Sequence, residues 1–353
     1  MNNLQAILSD FGGPDKISVR ESELPIPRDG EVRVRVEASG ICSTDTLIRK
    51  GIYPLLREKP PLCLGYDLIG RVEAIGQSVP RHWLGKRVGA LVQIGGNARF
   101  ACVPASLLLR IPEEADAADA AALLLNYMSA YEMLRQSNAI EKGGSILVQG
   151  GSGAVGTAFC QLGRHFGLSV VASASATKQA YVRSQGATAI DYRSARLEQI
   201  LQDAAPTSYV AAFDAIGPGS FDRSFRLLQH EGRLITFGTY LKGKSIPRKS
   251  MLHFLSFGFT FGKMLLGNRW RNLNTKGKSA SFFGIMDIFH KSREQFQNHL
   301  DFLFQLLAAG NIKPHIHRRL PLSDVADGHR MLDQGEVCGQ LIILPQQLSN
   351  ENG

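Results

Sequence analysis

Gly151-Ser152-Gly153-Ala154-Val155-Gly156 follows the apolar run Ser145-Ile146-Leu147-Val148-Gln149 and precedes Ala158-Phe159-Cys160-Gln161-Leu162, which continues at helical spacing. In a strand-turn-helix of this kind each glycine has its own duty. Gly151 makes the tight turn, Gly153 lets the backbone approach a pyrophosphate, and Gly156 lets helix and strand pack closely. The free N–H groups and positive dipole of the helix start would hold the phosphates, which adds Ser152, Ala154 and Val155 to the cofactor-binding set. Phe166 packs a turn later, and Gly167 caps the helix. A purely structural glycine turn is the alternative; the strand before and the helix after favour a dinucleotide.

The next strand bears on which dinucleotide. An NAD site carries Asp or Glu about twenty residues on, to hold the ribose 2′-OH. Here Ser169-Val170-Val171-Ala172-Ser173 leads into Ala174-Ser175-Ala176-Thr177-Lys178, and no acidic residue occurs between Glu141 and Asp191. The hydroxyls of Ser173 and Ser175 with the Lys178 ammonium suit a 2′-phosphate, which needs donors and positive charge. NADP(H) is therefore the expected cofactor. The bland alternative is a solvated helix start capped by Ser175 or Thr177 with Lys178 exposed.

These motifs need elements to carry them. With 353 residues the chain is long enough for two domains with substantial cores. Hydrophobic content of 44% and charged content of 20% are ordinary for a globular protein. The net charge of +9 is spread along the chain, and its densest part, 242–278, interleaves too few aromatics to form a nucleic-acid platform. Five scattered cysteines form no disulfide framework, which fits a reducing cytosol, and the N-terminus lacks the pattern of a signal peptide. Residues 1–118 alternate short strands with Gly/Pro turns, for example Glu31-Val32-Arg33-Val34-Arg35-Val36 and Gly70-Arg71-Val72-Glu73-Ala74-Ile75-Gly76. That pattern predicts a twisted, mostly antiparallel β domain. Strands at 145–149, 169–173, 188–191, 209–214, 232–237 and 279–283 alternate with helices and predict an α/β, doubly wound parallel sheet. The final Gln340-Leu341-Ile342-Ile343-Leu344 is expected to close back onto the first domain. The expected division is 1–126 plus 291–353 for the catalytic domain and 127–290 for the cofactor domain.

Gly40-Ile41-Cys42-Ser43-Thr44-Asp45, Gly65-Tyr66-Asp67-Leu68-Ile69-Gly70-Arg71-Val72, the glycine fingerprint, Gly232-Arg233-Leu234-Ile235-Thr236-Phe237-Gly238 and the closing Gly339-Gln340 strand occur in this order. Together they resemble the medium-chain dehydrogenase/reductases over essentially the whole chain. The resemblance implies a GroES-like catalytic domain and a Rossmann domain with a six-stranded sheet. Zinc members of that family use a Cys of the first motif, a His-Glu pair in the second, and a later Cys or Asp. Cys42 and Thr44 match the first motif, Thr44 where zinc members relay a proton. The His position is Tyr66, the Glu position Asp67, and the later position falls in Leu123-Leu124-Leu125-Asn126. A catalytic zinc needs three protein ligands, so no metal is expected, and Cys42 reads as a small buried hydrophobe in the cleft.

Without a Lewis acid an alkoxide goes unstabilised, which leaves hydride delivery to an acceptor already electrophilic. The zinc-free relatives that the chain resembles are quinone oxidoreductases and enone or enoyl-thioester reductases. Ala121-Ala122-Leu123-Leu124-Leu125-Asn126-Tyr127-Met128-Ser129-Ala130-Tyr131, Ile190-Asp191-Tyr192 and Ile312-Lys313-Pro314-His315-Ile316 are similar to the vesicle-protein branch of quinone oxidoreductase-like members. The resemblance places Lys178 and Tyr192 around the 2′-phosphate. It adds Ile216, Gly238, Thr239, Phe282 and Phe283 to the cofactor contacts, and it loses the lysine contact at Gln340. Asn126 and Ser129 would bind the nicotinamide or ribose, the alternative being helix capping. Arg49-Lys50-Gly51-Ile52-Tyr53-Pro54 resembles the stretch lining the active cleft, with Tyr53 as hydrogen-bond donor to the reduced acceptor; packing beside Pro54 is the alternative. Asp67 is expected to support its loop.

Residues 251–266 are apolar, interrupted, and too short to span a bilayer comfortably. A lid or a subunit interface is one reading. Peripheral membrane contact is the other, and with it a rival function, a lipid-associated cofactor-binding adaptor with little turnover. An alcohol or aldehyde dehydrogenase is a further alternative. A small-molecule acceptor and a second copy are the expected partners, the dimer forming through Ser279-Ala280-Ser281-Phe282-Phe283. A charge at Phe282 should disrupt that dimer unless the ring faces the nicotinamide.

Overall fold

The computed structural model describes residues 2–53, 55–205, 207–238 and 277–347. Pro54, Thr239, the 251–266 stretch and most of the basic 242–278 segment lie outside the described residues. The chain divides into two compact units, Met1–Leu125 with Phe289–Ala308 and Pro314–Gly353, and Asn126–Ile288 with Ala309–Lys313.

The first unit holds β1 (Asn3–Leu8), β2 (Ile17–Ser22), β3 (Glu31–Ile41), β4 (Leu62–Cys63), β5 (Asp67–Ile75), β6 (Arg87–Leu91), β7 (Phe100–Pro104) and β8 (Leu109–Arg110). The second holds β9 (Ser145–Gln149), β10 (Ser169–Ala174), β11 (Thr188–Asp191), β12 (Tyr209–Asp214), β13 (Leu228–Phe237) and β14 (Ser279–Phe283), after which β15 (Ile316–Pro321) and β16 (Gln340–Leu344) return to the first. Its main sheet runs β15-β16-β3-β5-β6-β8, with β7 also on β3, and all its pairs are antiparallel except β15–β16. Val32, Val34 and Val36 alternate into the core with Leu68, Val72, Val88 and Val103, the period-two burial that the sequence predicts. β3 outruns its predicted end. Beyond Val36 the residues Ala38–Ile41 are buried without alternation, because β16 pairs there in register with Ser39, Gly40 and Ile41.

The second unit is a parallel six-stranded sheet in the order β11-β10-β9-β12-β13-β14. The order reverses between β9 and β12, the switch point at whose carboxyl edge ligands bind in doubly wound folds. All six predicted strands are present. β13 starts earlier than the sequence suggests, at Leu228, with the register shifting before Arg233 and Glu231 in a left-handed conformation at φ 56°. The polar run Gln229-His230-Glu231 in that bulge hides the strand from a hydrophobic pattern. One expectation needs correction. Phe282 turns its ring onto the apolar core formed by Leu147, Leu234 and Ala280, among others. A charge at Phe282 would therefore damage the sheet's own packing and would not report on a dimer.

Candidate active site

The turn after β9 carries the glycines of the fingerprint. The left-handed residue is Gly150, at φ +88°, one position before the glycine expected to make the turn. Gly151 is needed for packing, since a Cβ there would meet the Ala172 Cβ at 2.6 Å. Gly156 is walled in by backbone: a Cβ would stand 2.2 Å from the Gly150 carbonyl oxygen. At Gly153 the nearest heavy atom would be 3.7 Å away, so the space in front of it is open to a ligand. Gly153 caps the helix Ala154–His165, and Phe166 then ends it with Gly167 left-handed at φ +70°. Ser152, Ala154 and Val155 lie in the turn and the first turn of that helix.

A buried polar network fixes the turn from below. Ser173 donates to Gln149 at 2.6 Å and accepts the Gly150 N–H at 3.2 Å. Gln149 donates to Ser224, whose hydroxyl with that of Ser220 is donated to Asp214. Burial raises the Asp214 carboxyl above its ordinary range. The Ser173 hydroxyl is thus turned inward and committed to the loop, while Ser175 and Lys178, in the turn that follows β10, are partly exposed. Ser175 shares a hydrogen bond with Thr177 at 3.2 Å. Because β10 pairs with β11 as Ala174↔Asp191, Ser175 and Tyr192 emerge side by side. Tyr192 is 41% exposed, with the Arg193 guanidinium 5.4 Å from its ring centroid. Arg193 is a second cation at this edge that the sequence reading did not single out.

Ile216 follows Asp214 and is 44% exposed, an apolar side chain facing solvent at the switch-point edge. At Gly238, left-handed at φ +52°, a Cβ would meet only the Ala215 Cβ, at 3.9 Å, among the described residues. Asn126 lies in the π-helical turn Leu123–Tyr127 and Ser129 in the following helix Met128–Gln136; both side chains are buried. Phe283 is also buried, at the end of β14. Thr239 lies outside the described residues.

In the first unit β3 ends at Ile41, and Cys42 caps the helix Ser43–Arg49. Cys42 and Asp45 form a reciprocal capping box, the Cys42 N–H donating to Asp45 Oδ2 at 2.9 Å. Thr44 sits partly exposed in the first turn of that helix. The Tyr53 hydroxyl lies 3.1 Å from that of Tyr66, with the rings edge to face at 6.2 Å. Tyr66 is buried, and burial followed by the Tyr53, Cys42 and Asp45 neighbours holds its phenol far above the ordinary range. The Asp67 Oδ1 accepts the Gly40 N–H at 2.7 Å, the loop-supporting role expected of it. Burial also raises the Cys42 thiol well above its ordinary value. Among the described residues no group of three His, Cys, Asp or Glu could hold a metal ion.

The sequence reading also missed that Asp45 and Asp67 are fully buried. Burial pushes Asp67 up to about 7, aided by the Asp45 charge and opposed by the Gly40 hydrogen bond, and pushes Asp45 up to about 6. The folded state thus holds a proton on Asp67 that the unfolded chain releases above its ordinary 3.8. The stability this group contributes is full below that value and is lost as the pH rises through about 7. Asp67→Asn keeps an acceptor for Gly40. It should match the parent near pH 4 and exceed it by roughly 2–4 kcal/mol at pH 8. Urea unfolding at both pH values checks this; an equal gap at both would contradict it. Another buried ionisable group, His329, has both ring nitrogens without partners near the wholly buried Arg49, and burial with the Arg49 charge brings it down to about 3.

Two family descriptions match the chain: an alcohol dehydrogenase GroES-like domain over residues 28–113 and a zinc-binding dehydrogenase over residues 185–343. The human quinone oxidoreductase is 29% identical over 344 residues, covering 95% of each chain. The human synaptic vesicle membrane protein VAT-1 homolog is 29% identical over 352 residues, covering 96% of this chain and 86% of that protein. Among solved structures, the Escherichia coli quinone oxidoreductase complexed with NADPH superposes with a TM-score of 0.82 at 24% identity, over 97% of this chain and 100% of that one. The human VAT-1 homolog-like protein gives 0.77 at 24% identity, covering 99% of both chains. With the glycine turn on a six-stranded doubly wound sheet and a GroES-like unit, the chain belongs to the medium-chain dehydrogenase/reductases, in the quinone oxidoreductase and VAT-1-like family.

Proposed function

We propose that this protein reduces a quinone or an α,β-unsaturated carbonyl compound with NADPH and without zinc. The observation that carries the reading is the side-chain set around Cys42. A hydrogen-bonded tyrosine pair, Tyr53 and Tyr66, stands at 3.1 Å beside it, and Tyr66 takes the position where zinc relatives carry histidine. NADPH, when bound, supplies the hydride. The N–H groups at the start of the helix Ala154–His165 hold its pyrophosphate in front of Gly153. Ser175, Lys178 and Arg193 meet the 2′-phosphate, while Tyr192 and Ile216 offer exposed apolar surface to the adenosine. Asn126 and Ser129 orient the nicotinamide end. Tyr53 donates its O–H to the acceptor oxygen as negative charge develops there. The relatives' names, quinone oxidoreductase above all, support the acceptor class.

The test is stopped-flow oxidation of NADPH against a panel of 1,4-quinones, enones and aldehydes. Oxidation with a quinone or enone is expected. Oxidation of NADPH with aldehydes alone, dependent on added zinc, would place the chain with the alcohol dehydrogenases. Cofactor choice is tested separately. Lys178→Ala should weaken NADPH binding by roughly 1.5–3 kcal/mol, the contribution of a hydrogen bond to a charged group, and leave NADH nearly unchanged. Calorimetric titration with both nucleotides checks this, and equal losses would contradict the 2′-phosphate assignment.

We also propose a homodimer. Among the described residues β14 pairs only with β13 and leaves an edge that a second copy would cover across a two-fold axis. Light scattering should give a dimer mass, and Ser281→Lys, at an exposed position of β14, should shift it to monomer. A monomer for the unmodified protein would contradict this. The five free cysteines fit a reducing cytosol. The likeness to VAT-1 homologs favours a second reading, a lipid-associated protein with little turnover. Flotation with vesicles combined with no turnover on any acceptor would establish it. No described helix is long and apolar enough to cross a membrane.

A further inference from the structure

Gln161 lies on the helix Ala154–His165, about two turns beyond Gly153, and is 5% exposed. Its side-chain amide makes four hydrogen bonds, each at 2.8 Å. Oε1 accepts the Lys313 backbone N–H and the Tyr127 hydroxyl. Nε2 donates to the Lys313 carbonyl and to Gln185 Oε1. A glutamine amide has two donors and two acceptor positions, so its capacity is filled by the protein. The Lys313 backbone also settles which end is which, since its N–H can only donate and its carbonyl only accept. Gln161 therefore presents oxygen to Tyr127, whose hydroxyl is the donor.

The places these partners come from give the amide its interest. Tyr127 is 2% exposed and closes the π-helical turn Leu123–Tyr127, with Asn126 before it and Ser129 two residues on. A π turn is a rare interruption of an α-helix, met mostly at functional sites, and side-chain contacts must keep it in one shape. Asn126 is the first residue of the second unit and Lys313 its last. One buried side chain thus fastens both ends of that unit to the helix that begins at the fingerprint. A buried polar network whose every member is paired holds its elements rigidly. Gln185 follows the helix Gln179–Ser184, at the opposite end from Lys178.

We propose that Gln161 is a positioning residue that, through Tyr127, fixes the turn carrying Asn126 and Ser129 against the fingerprint helix. It thereby sets where the nicotinamide end of NADPH lies relative to the pyrophosphate. The inference rests on the reductase reading above, in which Asn126 and Ser129 orient the nicotinamide end. Gln161 has no hydrogen-bonding position left for a ligand, so it acts only through the residues it holds. The adenosine end is independent of it. Ser175, Lys178 and Arg193, which that reading gives to the 2′-phosphate, sit in the turns after β10 and β11, and none of them bonds to Gln161.

The test compares two ligands on the full chain: NADPH, and adenosine 2′,5′-bisphosphate, which is its adenosine half alone. Calorimetry gives both affinities, and the emission anisotropy of the reduced nicotinamide reports how firmly that end is held. Gln161→Met keeps the side-chain length and removes all four bonds. Tyr127→Phe keeps the ring and removes one, and it carries the test if Gln161→Met does not fold. In both variants the bisphosphate should bind as it does to the parent. NADPH should bind about tenfold more weakly to Gln161→Met, the loss of roughly one net buried hydrogen bond, and by a smaller factor to Tyr127→Phe. The anisotropy of the bound cofactor should fall in each. Equal losses for the two ligands would mean a general loosening and would overturn the positioning role, as would unchanged NADPH affinity and anisotropy. An unmodified protein that binds the bisphosphate as tightly as NADPH would overturn the nicotinamide contacts and the inference with them. The expected split in a protein that reduces no acceptor would uphold the positioning role and overturn the reductase reading alone.

Discussion

Gly153→Asp should leave the protein folded and abolish useful NADPH binding. The backbone at Gly153 is extended, at φ −77° and ψ 174°, and among the described residues a Cβ there would meet nothing closer than the Gly150 oxygen at 3.7 Å. Asp is among the best residues at a helix N-cap, so the variant's thermal stability should hold or rise slightly. The same carboxylate would occupy the open space in front of the turn and bring negative charge against the pyrophosphate. A loss on the order of 100-fold in affinity, about 2.7 kcal/mol, is expected. Gly156→Ala should behave in the opposite way. Its Cβ would press on the Gly150 oxygen at 2.2 Å and the Gly151 Cα at 2.7 Å, backbone atoms that cannot turn aside. The overpacking should cost about 1–3 kcal/mol of stability. Thermal melts and nucleotide titrations of the two variants separate the effects. Unchanged NADPH affinity in Gly153→Asp would show that the turn is structural only.

Tyr53→Phe should lower kcat for quinone reduction by about 10²–10⁴, the range associated with losing a positioned general acid. The ring's edge-to-face contact with Tyr66 at 6.2 Å survives the change, so packing is kept while the O–H is removed. NADPH affinity should stay near that of the parent, because Tyr53 belongs to the first unit and the proposed nucleotide contacts belong to the second. A kcat within twofold of the parent would remove Tyr53 from the chemistry and leave it as a packing residue.

The strand-turn-helix proposed to cradle the cofactor was legible because local rules generate it. An apolar strand, glycines at fixed spacing and a helix are written within two dozen residues, and the fold leaves them together. The missing acid after β10 was legible for the same reason, and Lys178 with it. Ser173 shows the limit of such reading. Its spacing suits a phosphate, but the register of β10 on β9 points its hydroxyl at Gln149. Arg193 escaped notice because its place at the same sheet edge as Ser175 depends on how β11 is set against β10. The carboxylate pair was harder still. Nothing in the sequence marks Asp45 and Asp67 as fully buried. The Arg49–Asp333 ion pair joins residues 284 positions apart and leaves no local trace.

The most direct test of the whole account is one single-turnover experiment on chelator-treated protein whose metal content is measured in the same sample. Mixing with a 1,4-quinone and NADPH deuterated at the transferable position should show cofactor oxidation slower than with the protium form, at an unchanged rate before and after chelation. That result would place hydride transfer from NADPH at the centre of the chemistry with no zinc required. Oxidation that appears only on adding back zinc, or no oxidation with any quinone or enone, would contradict it.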